Sequence, residues 1–346
     1  MNKVHVAIVG MGIGRSNGRG FLRTPRSRIV ALCDLIEERM QSFAQEIPNP
    51  VKCYTSYKEM CQDPEIGAVF VGTPNQWHVP VALEAVRAGK HVMVTKPLAD
   101  CEEAARELVQ AAEAAGVVNM MSLTTRFSDE VNYVGKLQQC GEFGEIYYAH
   151  ARSVRRSGIP NWNPGFIQKG GGAFRDMGVH VLDSAWWLMG MPKPVCVLGA
   201  AGAKFGPRGL GYWDFASPPP DYYSQYTADD YGGGFIRFEN GAGLQVESFW
   251  ASHQPTGLQI ELFGTEAGAR VWPLTVYRTV NGAPQDITVE LPRKVDAVDH
   301  IAAHFVECIL DGVECRAPLR HGLIVQQMME ALLKSGETGK EVVLEG

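Results

Sequence analysis

Six residues, Val4-His5-Val6-Ala7-Ile8-Val9, run directly into Gly10-Met11-Gly12-Ile13-Gly14-Arg15-Ser16-Asn17-Gly18, and few folds accommodate that order. An apolar, β-branched run of this length reads as a buried strand. The glycines behind it allow a tight turn and a close backbone approach, and an amphipathic segment follows as a helix. Strand, glycine-rich turn and helix is the context in which such glycines indicate a dinucleotide site. The turn amides and the helix N-terminus then present N–H groups to a pyrophosphate. The spacing departs from G-x-G-x-x-G: Gly10 and Gly12 fit, Arg15 stands in the third glycine's place, and Gly14 comes one residue early. Gly10, Gly12, Ile13 and Gly14 are the expected phosphate-side contacts.

A second strand, Arg28 to Cys33, ends at Asp34, 24 residues after Gly10, about where a carboxylate binds the adenine ribose hydroxyls. Its charge repels a 2′-phosphate, so NAD is expected over NADP, with Arg15 and Arg39 as the residues that would offset that preference. An acidic strand-end cap also accounts for Asp34, though not for its distance from the glycines. A third strand, Gly67 to Gly72, stops at Thr73-Pro74-Asn75-Gln76-Trp77-His78, and a helix over Val81 to Ala88 with Gly89 as its cap follows. Here Thr73, Pro74 and Asn75 are expected to border the cofactor, with His78 steadying the loop rather than reacting. The next strand ends in Thr95-Lys96-Pro97. Proline fixes its own φ and favours an extended residue before it, so Lys96 is presented at the carboxyl end of a strand, where open α/β sheets place ligands. A helix over Cys101 to Ala115 and a strand over Val117 to Met121 complete an alternation that predicts a doubly wound parallel sheet.

The second half reads differently. Ile146 to Val154, Gly234 to Glu239, Gly243 to Trp250 and Gln259 to Phe263 are strand-like with few helices between them, which suggests an antiparallel sheet. Between Phe205 and Tyr231 lies a Pro/Gly/Tyr-rich run with Ser217-Pro218-Pro219-Pro220, longer than an ordinary connector and so expected to be a functional loop. The chain closes with helices over Asp299 to Leu310 and Gly322 to Ser335 and a short strand near Val342.

Asp176 and His180 are four residues apart in a segment that follows Gly170-Gly171-Gly172 and continues as Val181-Leu182-Asp183-Ser184-Ala185-Trp186-Trp187-Leu188. That is a helix by length and pattern, which puts the carboxylate and the imidazole on one face. By itself such a pair is more often a structural hydrogen bond; a cofactor loop and a strand-end lysine in the same chain reverse that and favour a dehydrogenase. His300 and His304 share the i, i+4 spacing on a helix but lack a third ligand at a telling distance, so no metal is expected. Arg126 reads either as a substrate or cofactor contact or as an ion-paired structural arginine. Trp162, Tyr212, Trp213, Tyr222 and Tyr223 read either as stacking surfaces for a sugar ring or as packing.

These segments carry a resemblance. Thr73-Pro74-Asn75 with His78, Ala88-Gly89-Lys90-His91-Val92, Lys96-Pro97-Leu98-Ala99, Arg126-Phe127, Gly141-Glu142-Phe143-Gly144-Glu145-Ile146, Gly170 to His180, Asp229-Asp230-Tyr231 and Ser335 to Lys340 occur in the order found in the Gfo/Idh/MocA family. That is the group of glucose–fructose oxidoreductase-like and inositol dehydrogenase-like proteins. The chain departs from it at Thr95, where the family usually has glutamate. The resemblance implies an N-terminal Rossmann domain over residues 1–122. An α+β domain over 123–346 would follow, with an open, mainly antiparallel sheet that binds substrate and makes oligomer contacts, as a homodimer or homotetramer. It implies that Lys96, Asp176 and His180 meet at the nicotinamide; Thr95 and Lys96 are expected to touch the cofactor, and Lys96, Arg126, Trp162, Asp176 and His180 to line the substrate. The substrate would be a sugar, a sugar derivative or a cyclitol.

The residue types suit that chemistry. As hydride leaves a secondary alcohol carbon, a proton leaves its hydroxyl. An imidazole, which titrates near neutral pH, takes it at His180. The Lys96 ammonium stabilises the developing alkoxide, and Asp176 orients substrate or histidine. Two rivals remain open: an NAD-assisted lyase or glycosidase working through a transient 3-keto sugar, and a non-catalytic sugar or dinucleotide sensor. Composition narrows the partners. Thirty-two Lys and Arg against 38 Asp and Glu give a net charge of −6, which disfavours nucleic acid and anionic membranes. No apolar run approaches the ~20 residues of a membrane span. The eight cysteines show no C-x-x-C pair, so reduced thiols and a cytoplasmic enzyme are expected.

Overall fold

The strand expected over residues 4–9 forms as β1 (Val4–Val9), and the glycine turn leads into α1 (Ile13–Arg23). In this computed structural model, which describes residues 3–292 and 295–344, the chain then alternates through β2 (Ser27–Cys33), α2 (Glu37–Ala44), β3 (Lys52–Tyr54) and α3 (Tyr57–Cys61). It continues through β4 (Ala68–Val71), α4 (His78–Arg87), β5 (His91–Val94), α5 (Glu102–Ala114) and β6 (Asn119–Met121). All six strands are parallel, in the order β3-β2-β1-β4-β5-β6. Helices on both faces exclude water from both sides of the sheet, which is why its strands are continuous apolar runs. The order reverses between β1 and β4, and in such sheets ligands bind beyond the strand ends at that point.

The second unit begins with α6 (Asp129–Gln139), β7 (Ile146–Val154), α7 (Val179–Leu188) and β8 (Pro194–Gly202). After α8 (Pro220–Tyr223) come β9 (Tyr231–Phe238), β10 (Gly243–Phe249), β11 (Gly257–Gly264), β12 (Ala267–Arg270), β13 (Thr275–Val280) and β14 (Ala283–Thr288). The chain ends with α9 (Ala297–Asp311), α10 (Leu319–Thr338) and β15 (Val342–Val343). The nine strands of the second sheet run β14-β13-β12-β11-β7-β10-β9-β8-β15. Only β7 and β10 pair in parallel; the rest is antiparallel, as expected. Helix α7 packs on β7, β10 and β11. On the strands Val197, Ile236, Ile260 and Leu262 are buried, while Leu198, Phe235 and Phe263 alternate with them and stay exposed.

The compact units divide the chain differently from the expected 122/123 boundary. One unit holds the described residues up to Phe127 together with 295–326; the other holds those of 128–294 and 327–346. Helix α9, expected with the second domain, returns to the first unit because α1 is built to receive it. A Cβ on Gly20 would lie 2.3 Å from the Val298 carbonyl oxygen. Phe21 and Phe305 meet edge to face at 6.3 Å, and Arg26 pairs with Asp311 at 2.6 Å. Among the described residues no helix is long and apolar enough to cross a membrane.

Candidate active site

The cofactor side of the first unit is made largely of backbone. Gly10 has φ +83°, and a Cβ there would lie 2.5 Å from the Gly72 carbonyl oxygen, so the ends of β1 and β4 touch only because both residues are glycine. Gly14, not residue 15, performs the close packing of the third glycine. A Cβ on Gly72 would stand 2.8 Å from the Gly14 nitrogen, and a Cβ on Gly14 would press on Ile8 at 3.1 Å. Arg15 is thereby free to point outward, where Glu46 holds it in an ion pair together with Arg19. Hydrogen bonds from Arg19 and Arg15 pull the Glu46 carboxyl down to about 2. Asp34 is engaged by backbone: the Met11 N–H donates to one carboxylate oxygen at 2.6 Å and the Ile36 N–H to the other at 3.0 Å.

A dinucleotide fits these residues on three observations. Gly12 faces open space where a side chain would stand. Helix α1 has no side-chain cap on its first N–H groups. At the end of β4 the Thr73 hydroxyl is buried with no hydrogen-bond partner, which costs stability unless a ligand satisfies it.

Lys96 is half-buried just past β5, behind the buried Thr95, whose N–H donates to the Val71 carbonyl at 2.9 Å. The His78 ring is fully buried between two carbonyl oxygens, Pro97 O at 2.7 Å from Nδ1 and Thr73 O at 2.8 Å from Nε2. It therefore ties the residue after Lys96 to the end of β4. Burial pushes its pKa down, and the two carbonyls oppose that. Pro74 is exposed and Asn75 partly so. Arg126 has no exposed surface. Its Nη1 donates to the Arg316 carbonyl at 2.7 Å and lies 3.2 Å from His321 Nδ1, which accepts because burial and the nearby arginine hold His321 neutral, with its pKa down at about 3. These contacts seat Arg126 in the framework of the first unit.

In the second unit Asp176 and His180 are one turn apart and both partly exposed. The expected α-helix opens as a π-helical turn, Phe174–Gly178, before α7, and such turns frequently accompany functional sites. Three partners distant in sequence hold it. The Phe174 N–H donates to Asp229 Oδ2 at 2.9 Å, and a Cβ on Gly172 (φ +111°) would stand 2.0 Å from the same carboxylate. Burial raises the Asp229 carboxyl to about 6. The Ser248 hydroxyl donates to Ala173 O at 3.0 Å. Trp250 Nε1 donates to Asp176 Oδ2 at 3.1 Å, fixing one carboxylate oxygen. Burial lowers the pKa of Arg155 while the charge of Asp176 opposes that, and the Arg155 guanidinium lies over the Trp213 ring at 5.1 Å.

The long Pro/Gly/Tyr-rich segment supports this helix from within its own unit. Asp230, fully buried, accepts the N–H groups of Lys204, Phe205 and Gly206 at 2.7–3.0 Å. Tyr212 is core beside Met177 and Trp250, with Tyr222 and Tyr223 packed against it. Trp162 and Trp213 remain exposed, edge to face at 5.8 Å, and are the aromatic faces left for a ring to stack on. Sequence reasoning missed the work of Asp229, Trp250 and Arg155. Asp229-Asp230 stood out as a motif without a task, and nothing local marks Trp250, 74 residues from its partner. The two helical histidines part ways: His300 Nδ1 lies 3.0 Å from Phe127 O, and His304 Nε2 accepts the Arg316 N–H at 3.0 Å.

Comparison with known proteins extends these observations. Residues 4–123 match the oxidoreductase family with an NAD-binding Rossmann fold, and residues 131–270 match the GFO/IDH/MocA C-terminal domain. The D-glucoside 3-dehydrogenase of Escherichia coli (strain K12) is 30% identical, covering 99% of this chain and 97% of that protein. The scyllo-inositol 2-dehydrogenase (NAD(+)) of Bacillus subtilis (strain 168) is 25% identical over 90% of this chain and 87% of its own length. Among solved structures, levoglucosan dehydrogenase in complex with NADH and levoglucosan superposes with a TM-score of 0.85 over 99% of both chains at 20% identity, a likeness of fold. With both domains matched in order and a relative this similar along its whole length, the chain belongs to the Gfo/Idh/MocA family of oxidoreductases and carries that family's NAD-binding Rossmann fold.

Proposed function

We propose that this protein moves a hydride between NAD(H) and a hydroxyl-bearing carbon of a sugar, sugar derivative or cyclitol. The observation that carries the reading is the Asp176–His180 turn: two partly exposed, chemically suited side chains on a helix start clamped by Asp229 and Trp250. The glucoside and inositol dehydrogenases named above support the substrate class. The bound nicotinamide supplies the hydride acceptor. His180 takes the hydroxyl proton, Lys96 donates a hydrogen bond to the alcohol oxygen and stabilises the alkoxide, and Asp176 orients the substrate. Trp162 and Trp213 offer apolar faces to a sugar ring. Asp34 favours NAD over NADP: its carboxylate stays where a 2′-phosphate would bring further negative charge, and Arg15, which would offset it, is committed to Glu46. The exposed face of the second sheet, with Leu198, Phe235 and Phe263, is the proposed contact in a cytoplasmic homodimer or homotetramer.

The test is a screen of glucosides, free aldoses and inositols for absorbance of reduced cofactor, with NAD and NADP in parallel. Stoichiometric NADH from a glucoside or an inositol supports the proposal. Substrate consumed with no net NADH would move the reading to lyase or glycosidase chemistry. Equal rates with both cofactors would remove the role given to Asp34.

A further inference from the structure

Within the first unit, α9 carries His304 and Cys308 one turn apart, Gly312 ends the helix in a left-handed conformation, and the following loop brings Cys315 back to the same spot. The three ligand atoms lie within 4.8 Å of one another. The Cys308 Sγ to His304 Nε2 separation is 3.5 Å. Two donors on a tetrahedral zinc ion, at about 2.3 Å for sulfur and about 2.0 Å for nitrogen, stand about 3.5 Å apart. From this geometry we propose that His304, Cys308 and Cys315 form a site for a thiophilic divalent cation, best matched by zinc.

The surroundings agree with that assignment. Because Nε2 accepts the Arg316 N–H, it carries the lone pair and Nδ1 carries the proton. Nδ1 faces the Glu307 carboxylate at 4.0 Å, an electrostatic contact beyond hydrogen-bond reach. Ligation replaces the Arg316 hydrogen bond with a metal–nitrogen bond. The Asn119 carbonyl oxygen, 3.5 Å from Cys315 Sγ, or a water supplies the fourth donor. Binding displaces both thiol protons into solvent and changes no oxidation state. The ion would bind three segments together: α9, the loop after it, and the edge strand β6, which already accepts that loop through the Met121 N–H to Ala317 O bond at 2.9 Å. The same soft, trigonal donor set has no counterpart in the hydride chemistry, so the site is structural.

The experiment uses the full chain, reduced and stripped of metal, titrated with Co(II) as an optical probe and then with Zn(II). One equivalent of Co(II) should give the intense ligand-field bands of a tetrahedral ion with thiolate charge transfer, and Zn(II) should abolish them. Cys315→Ser, at a partly exposed position, should weaken binding about 100-fold or more, while Cys140→Ser, in the second unit, should leave it unchanged. Zn(II) should raise the melting temperature of the wild type and of Cys140→Ser but not of Cys315→Ser. The proposal is overturned if the reduced wild type gives no such spectrum, or if Cys315→Ser keeps it. It is also overturned if Cys308 and Cys315 form a disulfide in air and, once re-reduced, take up no metal; the trio would then be a redox pair.

Discussion

The cofactor turn of the first unit and the Asp176–His180 turn of the second are built on opposite principles. The first is backbone meeting backbone: Gly10 against Gly72, Gly72 against Gly14, amides capping Asp34. Its specificity lies in side chains that are absent. The second is side chain holding side chain or helix: Asp229 on the Phe174 N–H, Trp250 on Asp176, Ser248 on Ala173. A backbone site fails by collision, and an added methyl is enough. A side-chain site fails by degrees, as each partner's hydrogen bond or charge is removed.

That contrast sets the scale of four outcomes. His180→Asn and Lys96→Ala should each lower kcat by about 10²–10⁴-fold, the usual worth of a positioned proton-transfer or oxyanion group, with NADH affinity by fluorescence titration little changed. Near-wild-type turnover of either variant that still binds NADH would remove that residue from the chemistry. Gly10→Ala should weaken NADH binding by about 100-fold, since it combines a left-handed φ with a collision against backbone. Tight binding by a folded Gly10→Ala protein would show that the turn yields and would break the contrast. Asp229→Asn keeps an oxygen for the Phe174 N–H and removes a carboxyl whose folded pKa, about 6, exceeds its ordinary 3.8. The native state thus holds that proton more tightly than the unfolded chain. Its contribution is complete below about pH 4 and disappears as pH rises through about 6. Between pH 4 and 7 the variant should therefore gain on the wild type by on the order of 3 kcal/mol in urea unfolding; parallel pH profiles would contradict the assignment. Trp250→Phe removes one donor to a charged carboxylate and should cost about tenfold in kcat/KM. A fall in melting temperature with kinetics unchanged would instead make Trp250 a packing residue.

How much was legible follows the same division. Strands β1, β2, β4 and β5 were readable because a sheet buried on both faces leaves apolar runs, and β7 and β10 because they alternate. The β13–β14 hairpin was overlooked although Asn281-Gly282, both at positive φ, is a strong two-residue turn signal; its strands are largely exposed and carry little apolar pattern. Arg126 was legible as important but not as buried, since its partner carbonyl belongs to a residue 190 positions away.

By itself the sequence determined the parallel sheet, the glycine turn, the strand-end Lys96 and the one-turn spacing of Asp176 and His180, because each depends on neighbours within a few residues. Tertiary structure alone decided that Gly14 does the work of the missing third glycine, that α9 belongs with α1, that Asp229 and Trp250 hold the Asp176–His180 turn, and that His304 meets two cysteines rather than His300. Those are contacts between residues remote along the chain, and local periodicity carries no record of what folding brings together.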